Sequence, residues 1–234
     1  MLLFYAPDIQ SCSELPESES QHCIRVLRKQ VGDQIDITDG KGYFYKAIIT
    51  EAHPKHCKVK ITESKKGVSS WNNTIEIALA PTKNIDRIEW FAEKATEIGI
   101  NKISFLKTRY SERKEIKSER IQKILVSAMK QSVKASLPLI GEITEFKKYL
   151  INNFEGRKFI AHCYPGEKPL LSTIYRKGEN ALILIGPEGD FSEEEVKWAL
   201  ENGFESISLG ESRLRTETAA LFACQTIHII NQLS

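Results

Sequence analysis

The second two thirds of the chain alternate short apolar runs with longer amphipathic stretches. The runs "TIEIALA", "KISFLK", "KFIAHCY" and "ALILI" are typical of strands, and Ile88, Phe91 and Ala95 lie on one stripe of a helix predicted between the first two. Strands that alternate with helices favour a mainly parallel sheet, because parallel neighbours need a crossover connection. We therefore predict an α/β domain over residues 71–234.

The first 70 residues have a different pattern. "QIDITDGKGYFYKAII" predicts two alternating strands around an Asp39-Gly40 hairpin turn, and "HCKVKITES" predicts another strand. "ESESQHCIRVLRK" indicates a short helix before the hairpin, whereas "ESKKGVSSWNN" has the composition of a linker. A small β barrel or sheet with one helix is thus predicted over residues 1–70, with the boundary near Ser70.

Composition excludes several classes of protein. The hydrophobic content of 41% over 234 residues is enough for ordinary packed cores. The start "MLLFYAPDIQ" lacks the pattern of a signal peptide, and no apolar run reaches membrane-spanning length, so we expect a cytoplasmic protein without a membrane partner. Five scattered cysteines favour reduced thiols, and His53, His56 and Cys57 lack a partner cluster, so no metal site is expected.

Positive charge is concentrated in two segments. From Lys102 to Lys134 the chain has ten Lys or Arg residues against three Glu. In the predicted N-terminal helix, His22, Arg25 and Arg28 recur at helical spacing with Lys29 beside them. Such segments are typical of phosphate-backbone binding, but a solvated surface with internal ion pairs would give the same pattern.

A Gly-Pro-Glu-Gly turn follows the apolar run Ala181–Ile185. Ser192 and Glu195, three residues apart, then predict a capping box at the start of a helix. The turn therefore lies at the carboxyl end of a parallel strand, where α/β sheets bind ligands. The glycines either shape a tight turn or allow the main chain to approach a ligand closely.

Three common signatures are missing from the sequence. We find no G-x-G-x-x-G, no G-x-x-x-x-G-K-[ST] and no G-x-S-x-G, which disfavours Rossmann dehydrogenases and methyltransferases, P-loop NTPases and α/β hydrolases.

A second loop, "LGESRLRTETAA", also follows a predicted strand and leads into a helix. Together with "LIGPEGDFS" it resembles the signature loops of the SPOUT superfamily of RNA methyltransferases, and within it the family that methylates N3 of a uridine in 16S ribosomal RNA. "HCIRVLRKQVGDQIDITDGKG" is similar to that family's N-terminal PUA-like RNA-binding domain, and "KNIDRIEWFAEKATEIGI" to the first helix of its catalytic domain. The resemblance therefore extends along the chain.

The resemblance implies a fold, a cofactor and partners. The fold would be a PUA-like β barrel followed by a domain with a C-terminal trefoil knot, and S-adenosylmethionine would be held by backbone groups of the two loops. The implied partners are 16S ribosomal RNA within the small ribosomal subunit and a second copy of the chain. Expected cofactor-binding residues are Leu184, Gly186, Pro187, Gly189, Leu209, Gly210, Leu214 and Thr216.

The reaction needs removal of the imide hydrogen of uridine N3. Arg215 is the candidate for stabilising the negative charge that develops, because a guanidinium stays charged and binds two oxygens at once. Glu217 and Glu188 are the candidates for accepting the proton, unless each holds Arg215 or caps a helix instead. Expected RNA-binding residues are His22, Arg25, Arg28, Lys29, Arg109 and Lys134.

Three residues depart from the family pattern. Asp190 stands where the family has a third glycine, and Lys130 and Lys134 stand where it has Glu and Arg. Two other functions remain open: a ribosome-associated RNA-binding or assembly factor without catalysis, and a ribose-2′-O methyltransferase of the same superfamily. A homodimer is predicted with its interface on the last helix, whose apolar stripe is Ala219, Phe222, Ala223, Thr226, Ile227 and Ile230, although the same stripe could equally belong to a monomer's core.

Overall fold

The computed structural model describes residues 2–68 and 73–233. The chain divides into two compact units, Met1–Ser70 with Leu125–Leu137, and Trp71–Ile124 with Pro138–Ser234. The predicted boundary near Ser70 lies outside the described residues. The sequence pattern did not indicate that Leu125–Leu137 belongs to the first unit.

The first unit contains a four-stranded sheet with short helices. Strand order is β1-β2-β3-β4, with β1 parallel to β2 and the other pairs antiparallel. The predicted β-rich character of this segment is confirmed. The elements before residue 70 are β1 (Leu3–Tyr5), α1 (Ile9–Cys12), α2 (Glu17–Gln21), a π-helical turn (His22–Val26), β2 (Gln34–Thr38), β3 (Tyr43–Glu51) and β4 (Lys58–Lys66).

The predicted hairpin forms, but its loop has four residues, 39–42, instead of two. The Asp39 carboxylate accepts hydrogen bonds from the backbone N–H of Lys41 and of Tyr43, and from the Tyr45 hydroxyl. Gly40 takes the positive φ that the turn requires, at +69°. The Asp39 side chain thus fixes the loop by hydrogen bonding, and left-handed backbone is needed only at glycine.

The predicted N-terminal helix ends before Arg28, the last basic residue predicted on its face. It runs through α2 and the π-helical turn to Val26, and Arg28 beyond it has a φ of +55°. Arg28 therefore does not continue the helical spacing of His22 and Arg25, which corrects the predicted basic helix face. Arg25 and Arg28 are exposed, whereas His22 is half-buried with its ring near Phe4.

The second unit is built on a six-stranded parallel sheet, which confirms the predicted α/β fold. Strand order is β10-β8-β9-β5-β6-β7. All five residues of β9 are buried, as its continuous apolar sequence predicts. The elements after residue 70 are β5 (Ile75–Leu79), α3 (Ile85–Ile98), β6 (Lys102–Lys107), α4 (Ser118–Gln131), β7 (Leu139–Glu145), α5 (Phe146–Leu150), β8 (Arg157–Ala161), α6 (Leu171–Ile174), β9 (Ala181–Ile185), α7 (Glu193–Glu201), β10 (Glu205–Ile207) and α8 (Thr216–Gln232). All belong to the second unit except α4 from Leu125 onward, which belongs to the first.

Helices cover this sheet in two pairs. Residues of α5 and α7 form a core with Leu182 and Leu184 of β9 and with Phe191 just after it. Helices α3 and α8 pack against each other, and α8 also contacts β5 and β9. The capping box predicted at the start of α7 is present: the Ser192 hydroxyl accepts from the Glu195 N–H, and the Glu195 carboxylate accepts from the Ser192 N–H.

The predicted apolar stripe of α8 contains both buried and exposed residues. Ala223 and Ile227 are fully buried, together with Ala220 and Cys224, whereas Phe222 is 48% exposed. The stripe therefore combines residues of the buried helix face with Phe222. Phe222 lies seven residues before Ile229, which is 47% exposed, so these two form a separate exposed apolar surface. No helix in the part of the chain that the structure describes is long and apolar enough to cross a lipid bilayer.

Candidate cofactor and catalytic site

A cavity of about 840 Å³ opens at the carboxyl ends of three neighbouring strands of the second unit. Because β10, β8 and β9 are adjacent and parallel, the loops that follow them emerge at the same edge of the sheet. All three loops line the cavity, and its volume falls within the usual range for small-molecule sites.

The loop after β9 forms the first wall. Its turn is closed by a hydrogen bond from the Asp190 N–H to the Pro187 carbonyl. A Cβ atom at Gly186 would lie 3.1 Å from the backbone carbon of Asp190 and 3.1 Å from the Phe191 nitrogen, so any other residue here would force these backbone atoms to shift. The Gly186 carbonyl accepts a 2.9 Å bond from the Thr216 hydroxyl, which ties this loop to the start of α8.

Six of the eight predicted cofactor-binding residues line the cavity: Gly186, Pro187, Leu209, Gly210, Leu214 and Thr216. The other two, Leu184 and Gly189, lie outside its lining. Leu184 is fully buried in the core beneath α5 and α7, and Gly189 lies against the Tyr110 side chain.

The predicted catalytic residues occupy three different environments. Arg215 is exposed at the cavity wall, where it precedes α8 without capping it by a side-chain bond. Glu188 also lines the cavity and accepts a 3.0 Å bond from the Lys83 N–H. Glu217 is 7% exposed, and its Oε1 lies 3.8 Å from Nε of Arg87.

Arg87 is a site residue that the sequence did not indicate. It lies on α3 and lines the cavity beside Arg215 and Thr216. Its ionic partner is Glu217, whose Oε2 is buried with no hydrogen-bond partner among the described residues. The carboxylate of Glu217 is therefore turned toward α3 and Arg87.

The loop after β8 forms the remaining wall and was missed as well. His162, Cys163 and Lys168 line the cavity from this loop. The His162 Nε2 lies 2.9 Å from the Ser206 hydroxyl of β10, and its Nδ1 is buried without a hydrogen-bond partner in the described chain. Burial lowers the pKa of His162, and the nearby Lys168 lowers it further. Burial and the Asp190 carboxylate raise the pKa of the Cys163 thiol.

Asp190 adapts to the backbone that its position imposes. Its φ is +65°, in the left-handed region that glycine adopts easily and that Asp tolerates better than most residues. Its carboxylate accepts hydrogen bonds from the N–H of Phe191 and from the N–H of Cys163. The Asp190 side chain thus adds a contact between two cavity loops.

The predicted RNA-binding residues divide between the units. His22, Arg25, Arg28, Lys29 and Lys134 belong to the first unit, whereas Arg109 belongs to the second. Burial lowers the pKa of Lys134. The backbone N–H of Arg109 donates to Glu195, and its guanidinium lies 5.8 Å from the centre of the exposed Tyr110 ring.

The basic segment Lys102–Lys134 is not one continuous positive face. Lys102 pairs with Glu76, Lys107 with Glu145, Arg120 with Glu89 and Lys130 with Glu19. Arg113 donates to the carbonyl groups of Thr82 and Lys83. About half of the basic side chains in this segment therefore have partners within their own unit. No group of three or more His, Cys, Asp or Glu residues in the described chain is placed to hold a metal ion.

Two protein-family models match the chain. Residues 69–228 match the model of an RNA methyltransferase domain, and residues 15–62 match that of an RNA methyltransferase PUA domain. The chain belongs to the RNA methyltransferase family.

Individual relatives agree with this assignment. The ribosomal RNA small subunit methyltransferase E of Mesomycoplasma hyopneumoniae is 33% identical over 72% of this chain and 75% of its own length. A probable rRNA-methyltransferase from Porphyromonas gingivalis has a similar solved structure, with a TM-score of 0.94 at 45% identity over 99% of this chain and 98% of that one. The ribosomal RNA small subunit methyltransferase E of Neisseria gonorrhoeae, bound to S-adenosyl methionine, has a TM-score of 0.85 at 26% identity, with coverage of 98% and 97%.

Proposed function

We propose that this protein transfers a methyl group from S-adenosylmethionine to N3 of a uridine in 16S ribosomal RNA of the small ribosomal subunit. The observation that carries the proposal is the single cavity built by the loops after β8, β9 and β10, with Arg215 in its wall, in a chain of the RNA methyltransferase family.

The chemical groups of the cavity fit S-adenosylmethionine. Gly186 brings main-chain groups close to the cavity with no side chain between, which suits recognition of an adenosine by backbone donors and acceptors. Glu188, Asp190 and Glu211 offer negative charge to an ammonium or a sulfonium, and Lys168 and Arg213 offer positive charge to a carboxylate. Both charge types of the amino-acid end of the cofactor therefore have counterparts in the lining.

The protein must position the uridine and stabilise the charge that forms on it. The bound cofactor supplies an activated methyl group, so no metal is required. As the N3 proton leaves, negative charge spreads over the imide oxygens, and Arg215 is placed to bind them from the cavity wall. Glu188 is the better-placed of the two candidate bases, because it lines the cavity while Glu217 is turned toward Arg87.

Residues 1–70 are proposed to form a PUA-like RNA-binding barrel, and residues 71–234 a catalytic domain with a C-terminal trefoil knot. The matches over residues 15–62 and 69–228 support this division. We further propose a homodimer in which the exposed Phe222 and Ile229 of α8 face a second copy of the chain. Cellular function on ribosomal RNA would place the protein in the cytoplasm.

One experiment separates this proposal from its alternatives. The protein is incubated with isotope-labelled S-adenosylmethionine and small ribosomal subunits that lack the modification, and the RNA is digested to nucleosides for mass spectrometry. We expect labelled N3-methyluridine. Label on a ribose would favour a 2′-O methyltransferase, and no label together with no cofactor binding by calorimetry would favour a non-catalytic assembly factor.

A further inference from the structure

Asp190 makes contacts that glycine at the same position would not. Its Oδ1 accepts a 2.8 Å hydrogen bond from the Phe191 N–H, and its Oδ2 accepts a 2.7 Å bond from the Cys163 N–H. Cys163 lies two residues after the end of β8, and Asp190 lies five residues after the end of β9. The carboxylate therefore joins two loops that follow neighbouring strands.

The same pair of loops has a second, independent connection. The Tyr164 hydroxyl donates a 2.8 Å bond to the Phe191 carbonyl, next to the Asp190 contact. Both Cys163 and Asp190 line the cavity, whereas Tyr164 is outside its lining. Of these two hydrogen bonds between the loops, the one that Asp190 accepts from Cys163 lies at the cavity wall; it is called the tie below.

We propose that Asp190 is a positioning residue, whose carboxylate holds the loop after β8 against the loop after β9 and so sets the shape of the cofactor cavity. A hydrogen bond to a charged acceptor is stronger than a neutral one, so Asp190 fixes the Cys163 backbone more firmly than a neutral side chain would. The inference rests on the proposed cofactor site, because the cavity that it shapes is the one assigned to S-adenosylmethionine.

A substitution series isolates the carboxylate from the backbone. Asp190→Gly relieves the left-handed φ but removes both hydrogen bonds of the carboxylate, so its two effects on thermal stability oppose each other. With the loop after β8 no longer held, the protein should bind S-adenosylmethionine about tenfold more weakly, equivalent to about one charge-assisted hydrogen bond. Asp190→Asn keeps the tolerance of left-handed backbone and a carbonyl acceptor but loses the charge, so its affinity should lie between those of the wild type and Asp190→Gly. Glu194→Gln, an exposed residue of α7 outside the cavity, removes the same charge as a matched control and should bind like the wild type.

A second measurement tests the tie without the cofactor. Alkylation of Cys163 by iodoacetamide is followed at several pH values by peptide mass spectrometry, which separates it from the exposed Cys12. Because the Asp190 carboxylate helps to raise the pKa of the Cys163 thiol, both Asp190 variants should shift the alkylation profile to lower pH. Glu194→Gln should leave the profile in place.

The outcomes distinguish this inference from the proposed function. If Asp190→Gly binds the cofactor as tightly as the wild type, or if its Cys163 profile does not move, Asp190 is not a positioning residue. If the wild type itself fails to bind S-adenosylmethionine while the Cys163 profile shifts as expected, the tie between the loops stands and the proposed cofactor site is wrong.

Discussion

At the scale of single residues, the site is organised by how its charges are paired. Arg215 stands at the cavity wall, whereas Glu217, only two residues later, is buried beside Arg87 of α3. The proximity of Glu217 to Arg87 favours a structural role for that carboxylate at the start of α8. Of Arg215 and Glu217, only Arg215 therefore lines the cavity.

Replacement of Arg215 tests its proposed role in charge stabilisation. Arg215→Ala should lower the single-turnover rate of methyl transfer by about 100-fold or more, as for the loss of one oxyanion-stabilising donor, with little change in cofactor affinity. Arg215→Lys keeps the charge but not the planar fork, so it should recover only part of the rate. The rates are measured with labelled cofactor, and the affinity by calorimetry. Normal turnover by Arg215→Ala would make Arg215 structural.

His162 should give the folded protein a measurable dependence on pH. Its pKa is lowered by burial, so the unfolded chain takes up a proton at a higher pH than the folded protein does. Stability is therefore complete above the unfolded value of about 6.5 and falls as the pH drops through that value toward the lower folded pKa. Urea unfolding of the wild type and of His162→Gln, compared between pH 5 and 8, should show a smaller loss of stability in the variant. Equal losses in the two proteins would contradict the assignment.

The sequence indicated some of these residues and not others, for physical reasons. Gly186, Pro187, Arg215 and Thr216 follow recognisable strands in short motifs, so their place at a carboxyl end could be read directly. His162 and Arg87 reach the same cavity only because β8 lies beside β9 and α3 packs on α8. Strand order and helix packing are set by long-range contacts, which local periodicity does not record.

At the scale of elements, the cavity depends on how tightly the loop after β9 turns. A Cβ atom at Gly186 would lie 3.1 Å from backbone atoms of Asp190 and Phe191, and the Thr216 hydroxyl donates to the Gly186 carbonyl. The wall formed by this loop is therefore held by backbone contacts at one end and by α8 at the other.

Two alanine substitutions in this loop should have unequal effects. Gly186→Ala forces a methyl group to within 3.1 Å of backbone atoms, which must shift, whereas Gly189→Ala meets the Tyr110 side chain at 3.2 Å. The contact is with the Tyr110 Cβ, and Tyr110 is 47% exposed in a turn outside the regular elements, where a small backbone adjustment costs less than in the buried turn at Gly186. We expect Gly186→Ala to lower stability by about 1–3 kcal/mol and to weaken cofactor binding strongly, while Gly189→Ala changes both much less. Thermal unfolding and calorimetry measure the two effects, and equal losses would contradict this account of the turn.

Two strands, β7 and β1, were not predicted from the sequence because neither has a long apolar run. Strand β7 is one of the two edge strands of the sheet, and its residues are exposed or partly buried, without a continuous apolar run. Strand β1 has only three residues and is recognised by its parallel pairing with β2. The central strands β5 and β9 are buried throughout, so their sequences predict them well.

At the scale of the whole molecule, RNA binding and chemistry are proposed for different units. Arg25 and Arg28 of the first unit are exposed, and the cavity belongs to the second unit. The division of roles predicts that the two activities respond separately to substitution.

Removal of Arg25 and Arg28 tests that division. The double alanine variant should bind many RNAs more weakly, by about the same factor for each. The slope of log affinity against log salt should become less steep by about 2, as expected when two phosphate contacts are lost. Cofactor affinity should not change. Lys55→Ala with Lys60→Ala, which removes equal charge from exposed positions of the same unit, is the matched control. A double arginine variant that loses the cofactor and retains RNA would reverse the proposed roles.

The central claim is that the loops after β8, β9 and β10 together form the cofactor site. Hydrogen–deuterium exchange of the full chain, with and without S-adenosylmethionine, measures this directly because it reports on the backbone N–H groups of each loop. We predict slower exchange on cofactor binding in all three loops, at residues 162–170, 186–192 and 208–216, with β4 of the first unit unchanged. Protection confined to another part of the chain, or no protection at a saturating cofactor concentration, would contradict the claim.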